Sequence, residues 1–216
     1  MEKHYEITEK QLVFLEDYLQ RKYKGISTET RIELTDHLIL AFEATTENGN
    51  LSQYLSNELE FIKSFVTNGI NLMKKTYRKE TWSQFFSFFT NFKFLSIVIS
   101  SILFFYFLNE NLNNKIACLS IFILSSILFL VSIRKGMINN KALKHLGEVK
   151  FLGTEIWLPF FLVQLLTEKH IGEFITSNSY FFTIYSSFIM MYGLAALLVL
   201  IKHKTLILEK YKHLLN

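Results

Sequence analysis

Glu155 is the side chain with the greatest capacity for chemistry, because it stands in an otherwise apolar stretch, 151–166, together with Pro159 and Gln164. An ionisable group in such surroundings is costly and is retained where it faces a cavity, a partner or a pathway. Pro159 follows Glu155 by one helical turn and lacks the N–H that would bond back to residue 155. A kink there would open a polar niche. Glu155, Pro159 and Gln164 therefore form the candidate polar intramembrane site. The competing reading is an interfacial one, since Glu155 follows Lys150 by only ~7.5 Å along a helix.

A second cluster, Glu33, Asp36 and His37 with Glu43 after them, has the i, i+4 Glu/His spacing that can hold a metal on a helix. It lacks the His-Glu-x-x-His pattern of zinc peptidases, and no second ligand group stands nearby. A solvated cluster is expected, with no metal and no cofactor. His4, His145, His170, His203 and His213 are scattered through loops and tails. Small residues at Ser96, Ser100, Ser125, Ser126, Gly193, Ala195 and Ala196 mark faces where helices pack closely. The chain has no Gly-x-Ser-x-Gly elbow, phosphate-binding loop, dinucleotide fingerprint or Cys-x-x-Cys pair. An enzyme is not expected; one joining Glu155 to His145 or to a lipid substrate lacks a nameable second catalytic group. The single cysteine, Cys118, excludes an intramolecular disulfide.

The elements that must position these residues are read from hydropathy. Between Glu173 and Lys202 lie 28 residues without a formal charge. A bilayer core of ~30 Å needs about 20 apolar residues as a helix. The stretches 92–108, 116–133, 151–166 and 180–201 have this character, and half the chain is hydrophobic with 22 Phe and one Pro. The expected fold is all-α, an integral membrane four-helix bundle preceded by a small three-helix cytoplasmic domain. Its parts are a helical prefix domain at 1–79, an amphipathic aromatic juxtamembrane segment at 80–92, four transmembrane helices within 93–201 and a basic cytoplasmic tail at 202–216.

Charge gives the orientation. Lys and Arg number five in 74–93, one in 109–115, five in 134–150, one in 167–179 and four after residue 201. This alternation predicts four spans with both termini in the cytoplasm, in a cell inner membrane. It also supports the stretch containing Glu155 as a span, since without it the basic tail would fall on the other side. Residues 1–73 hold 7 Lys+Arg against 12 Asp+Glu, a net −5, while 74–216 hold 16 against 7, a net +9. Basic residues bordering apolar runs match anionic headgroups, so the lipid bilayer is the expected partner and nucleic acid is not. The acidic head is the expected surface for a protein partner or for the chain's own basic loop 134–150 and basic tail. Met1–Lys10 lacks the pattern of a secretory signal, so the head is expected to remain cytoplasmic.

Within the head, Thr8 and Gln11 form a capping box, followed by Leu12, Leu15, Leu19 and Tyr23 at helical spacing until Gly25. A second helix starts at Ser27 or Thr28 and buries Ile32, Leu38 or Ile39, and Phe42. Asn50 and Gln53 cap a third, lined by Leu55, Leu59, Ile62, Val66 and Met73. Thr81 and Gln84 fit a further capping box, opening a strip in which Trp82, Phe85, Phe86, Phe89 and Phe92 share one face. With Lys93, this strip suits the headgroup boundary, or else forms the first turns of span one.

The residues Thr8-Glu9-Lys10-Gln11, Arg31-Ile32-Glu33-Leu34-Thr35-Asp36-His37 with Glu43, and Asn48-Gly49-Asn50 resemble the HAAS-type helical prefix found ahead of several membrane helices in uncharacterised bacterial multi-pass proteins. The resemblance covers the head alone and implies a cytoplasmic interaction or regulatory module. The expected function is scaffolding, regulation or signalling at the membrane. The alternative is a small transporter or channel subunit with a polar path near Glu155.

Overall fold

The computed structural model describes residues 5–138, 140, 143 and 146–212, which fold as α-helices and 3-10 turns with no strand among them. They divide into two compact units. The described residues of Met1–Lys74 and Asn139–Phe151 form one, and Lys75–Ile138 with Leu152–Lys212 forms the other. His4, Lys141, Lys144, His145 and His213 lie outside the described residues.

The first unit begins with α1 (Glu9–Lys22), whose capping box closes in both directions: the Gln11 N–H donates to Thr8 Oγ1, and Gln11 Oε1 accepts from the Thr8 N–H. The Ser27 hydroxyl caps α2 (Thr28–Thr45), and the Asn50 side chain caps α3 (Leu51–Asn57). Each polar cap satisfies an N–H that the first turn leaves without a partner. Leu15, Leu19, Leu34, Leu38, Phe42, Leu55 and Ile62 are buried in one core. Ile32, expected inside, is exposed, and Leu34 is buried in its place. The inward stripe of α2 therefore runs through 34, 38 and 42. Gly49 takes φ 64, which a side chain rarely adopts, and a Cβ there would strike the Tyr5 ring at 2.5 Å.

The third head helix is interrupted. After Glu58 the chain starts α4 (Leu59–Thr90), a 32-residue helix that runs without a break through the whole basic and aromatic approach segment. The Thr81 capping box does not form. Thr81 is buried inside α4, and its hydroxyl donates to the Tyr77 carbonyl. The aromatic strip is consequently the last part of α4, separated from α5 (Phe92–Asn111) only by Asn91, whose side chain caps the new helix through the Lys93 N–H.

In the second unit, α5, α6 (Asn114–Gly136) and α10 (Ser179–Lys210) are long and apolar enough to cross a membrane. Of the most apolar window, 17% is buried in α5, 22% in α6 and 56% in α10, which makes α10 the helix around which the others pack. Exposed Leu103, Phe104 and Phe107 on α5 and Leu119, Ile127 and Leu130 on α6 face outward. The last helix keeps its course past the apolar run to Lys210. There Lys204 Nζ donates to the carbonyls of Lys135 and Met137, at the C-terminal end of α6.

The stretch 151–166 is not the single spanning helix, kinked at Pro159, that was expected. A short α7 (Gly147–Lys150) ends before Gly153, which has φ 88. A 3-10 turn, Thr154–Ile156, follows and leads into α8 (Trp157–Leu165). These nine residues rise roughly 14 Å, about half of a bilayer core. Glu168 caps α9 (Lys169–Thr176), and the chain bends by 89° between Gly147–Leu165 and Lys169–Thr176. Pro159 does not produce that bend. It occupies the first turn of α8, where a missing N–H removes little helical bonding.

Candidate functional site

Glu155 sits in the 3-10 turn with 8% of its surface exposed. The buried Tyr192 of α10 donates its hydroxyl to Glu155 Oε2 at 2.7 Å. Arg78, two-thirds exposed on α4, donates from Nε to Glu155 Oε1 at 3.3 Å. Both carboxylate oxygens are thus engaged, one by a neutral and one by a charged donor. This is the arrangement a buried ionised carboxylate needs, because a carboxylate without partners would cost several kcal/mol of desolvation.

The three groups border a cavity of about 630 Å³, which Trp82, Trp157 and Gln164 also line. Phe160 and Phe161 add apolar wall, and Thr154 contributes a buried hydroxyl oxygen with no hydrogen-bond partner among the described residues. The Trp82 ring meets the Tyr192 ring edge-on at 5.0 Å, and Trp157 meets Phe129 in the same way at 4.8 Å. The arrangement combines an ion pair, an exposed amide and aromatic rings in one recess. Groups of these kinds are able to hold and orient a polar head.

Of the expected site residues, Glu155 and Gln164 reach this cavity together. Pro159 does not line it. It is buried on the side facing α10, where its Cγ comes 3.6 Å from the place a Gly193 Cβ would occupy. The interfacial set divides. Phe85 is buried against Phe188 and Tyr192, Trp82 is half-buried at the cavity, and Phe86, Phe89, Phe92 and Lys93 are exposed. Phe88, which the strip assignment passed over, is also buried.

Arg78 and Tyr192 were missed by sequence reasoning. Arg78 is one of four cations in 74–79, and nothing local separates it from the others. Tyr192 carried a signal, being a hydroxyl inside the uncharged run, where a buried phenol requires an acceptor and Glu155 is the sole ionisable acceptor in the span facing it in sequence order. The Glu33, Asp36 and His37 side chains are exposed, and no cluster of metal-ligating side chains occurs among the described residues.

A further polar contact joins α4 to the end of α10. Lys202 Nζ donates to Glu80 Oε2 at 2.9 Å, and His203 Nε2 lies 3.0 Å from the same oxygen. The His203 ring meets Tyr77 edge-on at 4.7 Å. Burial pushes the Glu80 carboxyl up, yet Lys202 and His203 outweigh it and hold the group below its ordinary range.

Comparison with protein-family models, with curated proteins and with solved structures finds no match to this chain.

Proposed function

We propose that this chain is a multi-pass membrane protein of scaffolding, regulatory or signalling type, embedded in a bacterial inner membrane with both termini in the cytoplasm. The observation that carries the reading is the outward apolar surface of α5 and α6, whose long side chains find favourable surroundings in lipid and not in water. The alternation of Lys and Arg along the connections supports the orientation. On this reading α5, α6 and α10 cross the bilayer, and the bent pair of α8 and α9 completes a fourth passage. The acidic HAAS-like head is the module that meets a partner, and the cavity at Glu155 is the site through which a bound ligand biases the membrane helices.

Reporter fusions test the layout. Alkaline phosphatase fused after Asn216 is expected to be inactive and a fluorescent protein there to be bright, with the reverse after residues 112 and 178. An active phosphatase after Asn216 would overturn the orientation. The cavity also favours a second reading, a small transporter or channel subunit with its polar path at Glu155. That reading expects Glu155→Gln to alter flux or proton coupling in vesicles, whereas the regulatory reading expects basal flux to stay at the level of empty vesicles.

A further inference from the structure

The charge balance of the Glu155 cavity restricts what can occupy it. Glu155 is buried and Arg78 is two-thirds exposed, and the two neutralise one another, so a singly charged ligand of either sign would leave an uncompensated charge beside the buried carboxylate. A ligand carrying both signs would not. Arg78 spends only Nε on Glu155 among the described residues, which leaves the donors on its two terminal nitrogens for a further acceptor. A planar guanidinium of this kind pairs with phosphate through two parallel bonds. The Trp82 and Trp157 rings, with the Gln164 amide, line the same cavity, and aromatic rings are surroundings that hold an ammonium group. Phe160 and Phe161 continue the wall as a surface for an acyl chain.

We propose that this cavity binds a zwitterionic phosphoammonium amphiphile, with the phosphate on Arg78, the ammonium between the indoles and Glu155, and the chain along Phe160 and Phe161. The inference deepens the regulatory reading by naming the chemistry of its ligand. It rests on that reading for the source of the ligand, a bilayer lipid, while binding itself is measured without a bilayer. A failed topology test and a failed binding test are therefore separate results.

The only two tryptophans of the chain, Trp82 and Trp157, both line the cavity, so intrinsic fluorescence reads it directly. The full-length protein in maltoside detergent is titrated with a short phosphatidylethanolamine brominated in its acyl chains, then with a phosphatidylglycerol brominated in the same way. Saturable quenching by the first, at least tenfold tighter than by the second, is expected. Arg78→Ala is expected to weaken it about tenfold, and Arg78→Lys, which keeps the charge and loses the fork, by several-fold. Competition by free phosphoethanolamine at micromolar concentration would assign a soluble headgroup as the source, whereas competition only by the intact lipid assigns the bilayer. Equal, non-saturating quenching by both lipids, or tighter quenching by phosphatidylglycerol, overturns the proposal. Should Arg78→Ala fail to fold, Gln164→Leu at the exposed rim gives the same reading, with a loss of ethanolamine-over-glycerol preference expected and an unchanged preference counting against the assignment.

Discussion

Tyr192, fully buried in α10, places its hydroxyl 2.7 Å from Glu155 Oε2, a carboxylate 37 positions earlier in the chain. The bond ties the 3-10 turn to the central helix and gives the carboxylate a neutral donor inside an apolar setting. Interhelical polar contacts of this kind contribute about 0.6–1.7 kcal/mol in membrane proteins. Tyr192→Phe is therefore expected to lower stability by about 1 kcal/mol. A double-mutant cycle with Glu155→Gln, followed by thermal unfolding in detergent, measures the coupling. Purely additive single losses would show that the two groups do not share a bond.

Within the first unit, Gly147 packs against the turn between α1 and α2. A Cβ at that position would collide with the Gly25 carbonyl oxygen and lie 2.8 Å from the backbone carbon of Ile26. Backbone has no rotamer through which to yield, so Gly147→Ala must push the segment away from the α1–α2 turn, at a cost of about 1–3 kcal/mol. Hydrogen exchange is expected to quicken at the amides of residues 25–28 while α10 keeps its protection. Unchanged exchange in the turn would contradict the contact.

How much of this was legible in the sequence depends on how local each determinant is. The caps at Thr8, Ser27 and Asn50 were readable because a capping side chain bonds within three residues of itself. The apolar runs of α5, α6 and α10 were readable for the same reason, since hydropathy is a property of the segment. The Thr81 box failed because Thr and Gln at that spacing also fit a helix interior, where the Thr hydroxyl bonds back to the carbonyl four residues earlier. Glu155 was found from its isolation among apolar neighbours. Its partners Arg78 and Tyr192 were not, because each lies on another helix and only tertiary packing brings them to the carboxylate. The broken course of 151–166 had a signal in Gly153, which a reading by mean hydropathy averaged away, whereas Pro159, read as a kink, fits the first turn of α8.

Glu80 supplies a pH dependence. Its carboxyl is held below the usual range by Lys202 and His203, against the opposing effect of burial. A carboxylate whose folded pKa is depressed adds stability above its ordinary pKa and loses that contribution as pH falls through the lowered value. Detergent-solubilised protein is accordingly expected to lose thermal stability as pH is taken from neutrality to below the carboxylate range. Glu80→Gln is expected to be less stable at pH 7 and to show a shallower decline in acid. The group is partly exposed, so solvent screening keeps the effect modest. Parallel pH curves for the two proteins would remove Glu80 as its source.

Gly193 sits where α10 meets both α6 and α8. A Cβ there would come 2.5 Å from Leu128 Cδ2 and 3.6 Å from Pro159 Cγ. The Leu128 methyl is the far end of a flexible side chain and can rotate aside, while alanine gains about 1 kcal/mol of helix propensity over glycine. Gly193→Ala is thus expected to be within about 1 kcal/mol of the parent protein. Gly193→Leu has no such escape, because a longer side chain meets α6 and the rigid proline ring of α8 together, and overpacking of this kind costs about 1–3 kcal/mol. Combining Gly193→Leu with Leu128→Ala is expected to recover part of the loss by opening space on α6. Thermal unfolding of the four proteins in one detergent decides the matter: a leucine tolerated as well as alanine, or a double variant no better than Gly193→Leu alone, would mean that α10 does not approach α6 at this level.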